Sequence, residues 1–294
     1  MEKEKNTRAY LAWVLLCFIW GTTYLAIRIG VKDLPPILFA GLRWLIAGPI
    51  LLFFLILRKY ELPKKSDFIH LTIVGLALLG IGSSFVVFAE QYIPSGLAAL
   101  LITTLPFWVV GIESLLPNRK KINIKVIGGI FLGLVGVGLI FGSDIKNLFN
   151  PSYISGVVGL MIAVIGWTAG SLYSKYNKIS VHPLMGAAFQ MIIAGVVLTI
   201  LAAGIGEFSS ITFTTESLSA FIYLVVAGSL IGYASYIYAI AHLPVSFVTT
   251  YAYINPIIAL FLGWLVLNET LDFTIIIAAV IILAGVILVK KGSD

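Results

Sequence analysis

A single arginine, Arg43, stands inside an otherwise apolar run. A charge so placed either pairs with an internal acid or helix-end carbonyl, or meets a ligand that carries an acceptor such as a carboxylate. Only Glu90 and Glu113 lie within or at the border of comparable runs, while every aspartate falls in a polar segment or tail. Glu90 is thus a candidate ion-pair partner for Arg43. Glu113 is a candidate proton carrier, because desolvation favours the neutral carboxyl, or else it reaches the interface beside Arg119 and Lys120. Trp20, Trp108, Trp167, Tyr233, Tyr251, Tyr253 and Asn255 fall at similar depth in their own runs. Flat apolar surface with a few polar tips is the composition of a small-molecule pocket, and also of plain filling between helices. Pro106 and Pro256 sit mid-run, where each removes a backbone hydrogen bond, so each is a hinge or a static kink.

The elements that must position these residues follow from composition. Of 294 residues, 60% are hydrophobic and 11% charged, against about 45–50% and about 25% in ordinary soluble domains. No water-soluble fold encloses that much apolar surface. A bilayer core about 30 Å thick takes about 20 apolar residues per helix, and ten such runs occur. They cover Tyr10 to Val31, Pro36 to Leu57, Phe68 to Ala89, Ser95 to Leu116, Ile124 to Gly142, Tyr153 to Tyr173, Pro183 to Gly204, Ser217 to Ala241, Val245 to Leu267 and Phe273 to Val289. They are continuously apolar at about twice the length of an outer-membrane barrel strand, so they are helices. The first run lacks a small-residue cleavage site and is read as a span rather than a signal peptide. The expectation is an all-α integral membrane protein with ten transmembrane helices, in contact with membrane lipids.

Several chemistries are excluded on motif grounds. There is no GxxxxGK[ST] phosphate loop, no HExxH and no paired intramembrane aspartates, which argues against an ATP-driven pump and against an enzyme. His70, His182 and His242 lack ligand spacing and Cys17 is the sole cysteine, so neither a metal site nor a disulfide is expected. No cofactor is implied. The run Gly133 to Gly142 lies inside a span with no preceding strand, so its glycines, like Gly228 and Gly232, are read as close-packing positions.

Basic residues orient the spans. With the N-terminus inside, fifteen of the nineteen lysines and arginines fall in inner segments, including Arg58, Lys59, Lys64, Lys65, Lys178 and Lys290, whereas Arg28, Lys32 and Lys146 fall outside. Both termini are expected in the cytoplasm. The net charge of +6 is then explained by topology, and nucleic-acid binding is not expected.

The chain also repeats itself. At an offset of 147, Trp20 meets Trp167, Pro36 meets Pro183, and Ala47 with Gly48 meets Ala194 with Gly195. At an offset of 150, Gly82 meets Gly232, Pro94 meets Pro244, Pro106 meets Pro256 and Asn118 meets Asn268. The halves are 1–143 and 144–294, each with five spans. Five is odd, so the second half enters the membrane from the opposite side: two inverted five-helix repeats, with a shared central site and two gates. Arg43 has Gln190 as its repeat partner, a neutral group opposite a charge, and this lopsidedness favours a substrate with a carboxylate or other acceptor.

The segments Phe18 to Gly30, Leu34 to Gly48, Phe88 to Trp108, Gly166 to Tyr173 and Thr250 to Leu271 resemble the EamA-type ten-helix transporters of the drug/metabolite transporter superfamily, over essentially the whole chain. The resemblance implies an inner-membrane exporter of small metabolites, amino acids or toxic compounds, without a bound cofactor. It also places an arginine at Arg43. The family often has an acid in the first repeat opposite Glu269, where this chain has Arg119 after Asn118. A channel or a non-transporting scaffold is the alternative reading, and a homodimer the alternative to a monomer.

Overall fold

The computed structural model describes residues 2–115, 123–143, 150–177, 179–243, 245–248 and 251–293. These residues form ten helical spans and no strand: α1 (Glu2–Gly30), α2 (Pro36–Leu57), α3 (Asp67–Ala89), α4 (Ser95–Ile102, then Leu105–Leu115), α5 (Ile124–Ser143), α6 (Pro151–Tyr176), α7 (Pro183–Gly204), α8 (Thr215–His242), α9 (Val245–Val248, then Tyr251–Leu267) and α10 (Phe273–Ser293). Six of them, α1, α2, α3, α6, α7 and α8, carry unbroken stretches long and apolar enough to cross a bilayer, and the other four contain shorter apolar helices. The bounds of α2 and α7 coincide with the sequence expectation. Both begin on a proline, whose missing N–H is harmless in a first turn.

Of the residues singled out above, the side chains of Lys3, Lys5, Glu113 and Lys290, and all of Asn118, Arg119, Lys120, Lys121, Lys146, Lys178 and Pro244, lie outside the described set.

The helices pair in a pattern that recurs when the first five are exchanged for the last five. The most extensive contacts join α2 to α7 and α5 to α10. α1 packs on α8 and α9, as α6 packs on α3 and α4. Close crossings rest on small residues. A Cβ on Gly195 would lie 2.4 Å from the backbone nitrogen of Leu45, and one on Gly129 would lie 2.5 Å from the carbonyl oxygen of Gly285. Two apolar clusters result, and Val86 and Trp167 pack against both. Large side chains such as Phe53, Phe54, Phe131 and Phe273 are exposed on the perimeter, where lipid rather than water suits them.

Three spans depart from regular α-helix. α3 and α8 each carry a π-helical stretch, Leu76–Ser83 and Leu224–Tyr233, whose wider turns free carbonyls from the usual ladder. Ser84 Oγ donates to Leu79 O and Ser229 Oγ to Leu224 O, both at 3.0 Å. α4 is broken at Thr103–Thr104, where the hydroxyls donate to Leu100 O (2.5 Å) and Leu101 O (2.7 Å). The same two carbonyls also accept from the N–H groups of Thr103 and Thr104, so each has two donors at the break.

Candidate functional site

Arg43 is the eighth residue of α2, and only 4% of its surface is exposed. Its Nε donates to Ser229 Oγ at 2.7 Å, and that hydroxyl in turn donates to Leu224 O at 3.0 Å, so the π-turn of α8 presents a lone pair to the guanidinium. The guanidinium carbon sits 4.4 Å from the centre of the Trp44 ring. Gly228 leaves the room: a Cβ there would lie 2.7 Å from Arg43 Nη2. Among the described residues no acid pairs with Arg43, and Glu90 has Arg28 rather than Arg43 against it.

Arg43 borders a cavity together with Trp20, Thr23, Tyr24, Trp44 and Trp167, closed on the α4 side by Ile102 and Leu105. The room for water-sized molecules is about 70 Å³, so an organic ligand needs the walls to part. Those walls are aromatic. Trp20 meets Trp167 edge-on at 5.3 Å between ring centres, stacks on Tyr236 at 5.2 Å and meets Tyr251 edge-on at 5.2 Å. Trp20 Nε1 donates to Gly228 O at 3.3 Å. The indole N–H groups of Trp44 and Trp167 are buried; that of Trp44 has no acceptor, and that of Trp167 has only the neighbouring Tyr236 hydroxyl near it. The cavity wall thus combines a guanidinium and indole groups with the hydroxyl-bearing Thr23, Tyr24, Ser83 and Tyr251, and has no carboxylate among the described residues.

The sequence-selected residues do not all gather here. Trp20, Arg43, Trp167 and Tyr251 line the cavity. Gln190 is buried, but its Oε1 accepts from Tyr233 at 2.6 Å, and it borders a separate pocket with Asn177, Lys175 and Ile237. Tyr233 packs edge-on against Trp44 at 5.7 Å, behind the wall. Asn255 is buried between α9 and α1, its amide nitrogen oriented to donate to Cys17 O at 2.8 Å. Tyr253 donates to Val286 O on α10 at 3.2 Å, away from the cavity. Trp108 is 37% exposed on the outside of α4, because the turn at Thr103–Thr104 resets the register that a continuous helix would give.

The two prolines are not equivalent. Pro106 is the second residue of the helix that restarts at Leu105, where a missing N–H costs nothing, whereas Pro256 lies within the continuous helix Tyr251–Leu267. The described residues thus show one mid-span break, at Thr103–Thr104 just before Pro106, where the carbonyl of Ile102 would otherwise seek the N–H that proline lacks.

Sequence reasoning missed Thr23, Tyr24, Trp44, Ser229 and Tyr236. A signal was present for two of them. Ser229, Gly232, Tyr233 and Tyr236 fall at i, i+3, i+4 and i+7, one face of a helix, and Tyr233 was already selected.

Loop contacts close both ends of the bundle. At the end bearing Gly30, Glu269 caps the start of α4, accepting from Ser95 N–H (2.8 Å), Ser95 Oγ (2.9 Å) and Gly96 N–H (3.2 Å). The turn that brings it there passes through Asn268 at φ +53°, a conformation asparagine tolerates. Thr214 donates to Asp33 Oδ2 at 2.5 Å. At the opposite end, Ser180 Oγ donates to Asp67 Oδ2 at 2.7 Å. Partial burial, and then His242, hold the His182 imidazole below its ordinary range, in keeping with His182 Nδ1 accepting from Leu184 N–H at 3.3 Å.

Comparison with known proteins accords with this architecture. The profile of the EamA-like transporter family matches residues 7–142 and again 154–290. The uncharacterized inner membrane transporter YedA of Escherichia coli (strain K12) is 36% identical over 283 residues, covering 95% of this chain and 89% of that protein. The uncharacterized transporter YoaV of Bacillus subtilis (strain 168) is 24% identical, covering 95% of each. A solved crystal structure of a protein 19% identical superposes with a TM-score of 0.71 over 97% of this chain and 98% of that one, a likeness of fold. With both halves matched by one family and the ten-helix bundle in place, the chain belongs to the EamA-like transporter family.

Proposed function

We propose that this transporter is a secondary carrier of the inner membrane that exports small organic metabolites bearing a carboxylate, amino acids and related compounds among them, by alternating access between two inverted five-helix halves. The observation that carries the reading is the cavity at Arg43. A buried guanidinium without an acid has one described acceptor, Ser229 Oγ, for its five N–H groups, and the Trp44 indole N–H beside it has none. A substrate carboxylate supplies one, and the Trp20, Tyr251 and Tyr236 rings supply an apolar seat for the rest of the molecule. Export, cytoplasmic termini and the inversion rest on the basic-residue asymmetry and the odd span count of each half, and the inner membrane on the name of the YedA relative.

The test is counterflow in proteoliposomes with a panel of labelled amino acids and organic acids, without ATP. Uptake of at least one carboxylate that Arg43→Ala abolishes is the expected result. Flux of none, or single-channel currents in a planar bilayer, contradicts the proposal.

A further inference from the structure

One buried ionisable group is left over from that site. Glu90 ends α3, has no exposed surface, and neither of its carboxyl oxygens has a hydrogen-bond partner. Arg28 lies against it, yet donates to the main-chain carbonyl of Glu90 rather than to the carboxyl. Glu269, one residue past Asn268, brings a second carboxyl to the same cluster, and Tyr24 of the cavity wall is close enough to sense the charge of Glu90. From α6, Tyr153 is buried in the same apolar cluster as Ala89 and Ile93. The charged residue of α2, Arg43, is committed to Ser229.

We infer that Glu90 is a proton-binding site that governs closure of the end of the bundle bearing Gly30, and so couples transport to a proton. This rests on the alternating-access reading above. Glu269 spends its oxygens on two backbone N–H groups and a hydroxyl at the start of α4, and Arg28 spends its donor on a main-chain carbonyl. Neither gives the Glu90 carboxyl a hydrogen bond. A neutral Glu90 is compatible with that closed, apolar setting. An ionised Glu90 would be a fully buried carboxylate without a hydrogen-bond donor, which a buried site does not tolerate. Loss of the Glu90 proton to outside water therefore favours opening, in which the carboxylate becomes hydrated and Arg28 is free to turn to it. Uptake of a proton from outside closes the cluster again. A substrate leaving through the open form and a proton entering as it closes amount to exchange of one for the other.

The experiment uses the full chain in lipid vesicles and needs no substrate. Spin labels on Lys32→Cys and Tyr92→Cys, both exposed positions, in a Cys17→Ala background report the distance across this end of the bundle. Infrared difference spectra between acid and alkaline medium report protonated carboxyls. The wild type should show a longer distance in alkaline medium and a carboxylic-acid band that disappears. Glu90→Gln should lose both responses and hold the short distance throughout, while Glu90→Asp should keep them. A pH response unchanged in Glu90→Gln overturns the proposal, as does a distance that follows sodium rather than pH. If the panel of metabolites shows no flux but the Glu90 band and distance change are present, the transport reading fails and the proton site stands.

Discussion

Arg43 and Gln190 occupy matching places in the two halves and have opposite fates. Gln190 finds its partner in Tyr233 at 2.6 Å and faces a pocket of its own, whereas Arg43 spends one donor on Ser229 and keeps the others open beside the unpaired indole of Trp44. The same contrast holds elsewhere in the bundle. α2 with α7 and α5 with α10 pair across the halves, and Trp20 lies over Gly232 as Trp167 lies over Gly82. Yet Trp20 Nε1 has a main-chain acceptor in Gly228 O, while Trp167 Nε1 has only the Tyr236 hydroxyl near it. The two family-matched segments are thus alike in packing, which depends on shape, and differ in their polar groups.

Substitution at the two positions should break that equivalence most sharply. Arg43→Gln should lower substrate affinity by about 10- to 100-fold, the worth of a charge-assisted hydrogen bond of about 1.5–3 kcal/mol, read by counterflow with the carboxylate that the panel identifies. Gln190→Leu removes both the acceptor and its polarity, leaves the Tyr233 hydroxyl unpaired, and should cost stability of about 1–3 kcal/mol with a smaller change in affinity, read by thermal unfolding in detergent.

Gly82→Ala and Gly232→Ala sharpen the symmetric part. Each added Cβ would meet an indole, Trp167 Cε3 at 2.7 Å or Trp20 Nε1 at 2.6 Å, so both should destabilise by about 1–3 kcal/mol and by similar amounts. Unequal losses would show that the tryptophans are held differently.

The smallest effects should come from the break in α4. Thr104→Val removes the hydroxyl that serves Leu101 O, leaving its N–H bond to the same carbonyl, and should cost about 1 kcal/mol of stability. Pro106→Ala should be near neutral, since the proline stands in a first turn. A larger loss at Pro106 than at Thr104 would return the proline to the role that its mid-span position suggested.

These differences mark what the chain discloses on its own. Span positions were readable because bilayer thickness imposes a length that apolar runs must meet, as Pro36–Leu57 and Pro183–Gly204 illustrate. Arg43 was readable because a lone charge in such a run demands an explanation. Trp108 was misplaced because facing depends on register, and register downstream of Thr103–Thr104 is set by a turn that hydropathy does not reveal. Ser229 and Tyr236 share a helix face with Tyr233 and were legible in that spacing, but that Ser229 serves Arg43 depends on the packing of α2 against α8. Glu90 was visible as an acid, but that Arg28 holds its carbonyl and leaves its carboxyl bare depends on packing between α1 and the end of α3.

The most direct test of the cavity at Arg43 is a titration of intrinsic tryptophan fluorescence, since Trp20, Trp44 and Trp167 border it. Each amino acid should be compared with its decarboxylated amine. Quenching by the carboxylate, absent with the amine and lost in Arg43→Gln, is the predicted result. Equal binding of acid and amine, or full binding by Arg43→Gln, would contradict a site built to receive an anion.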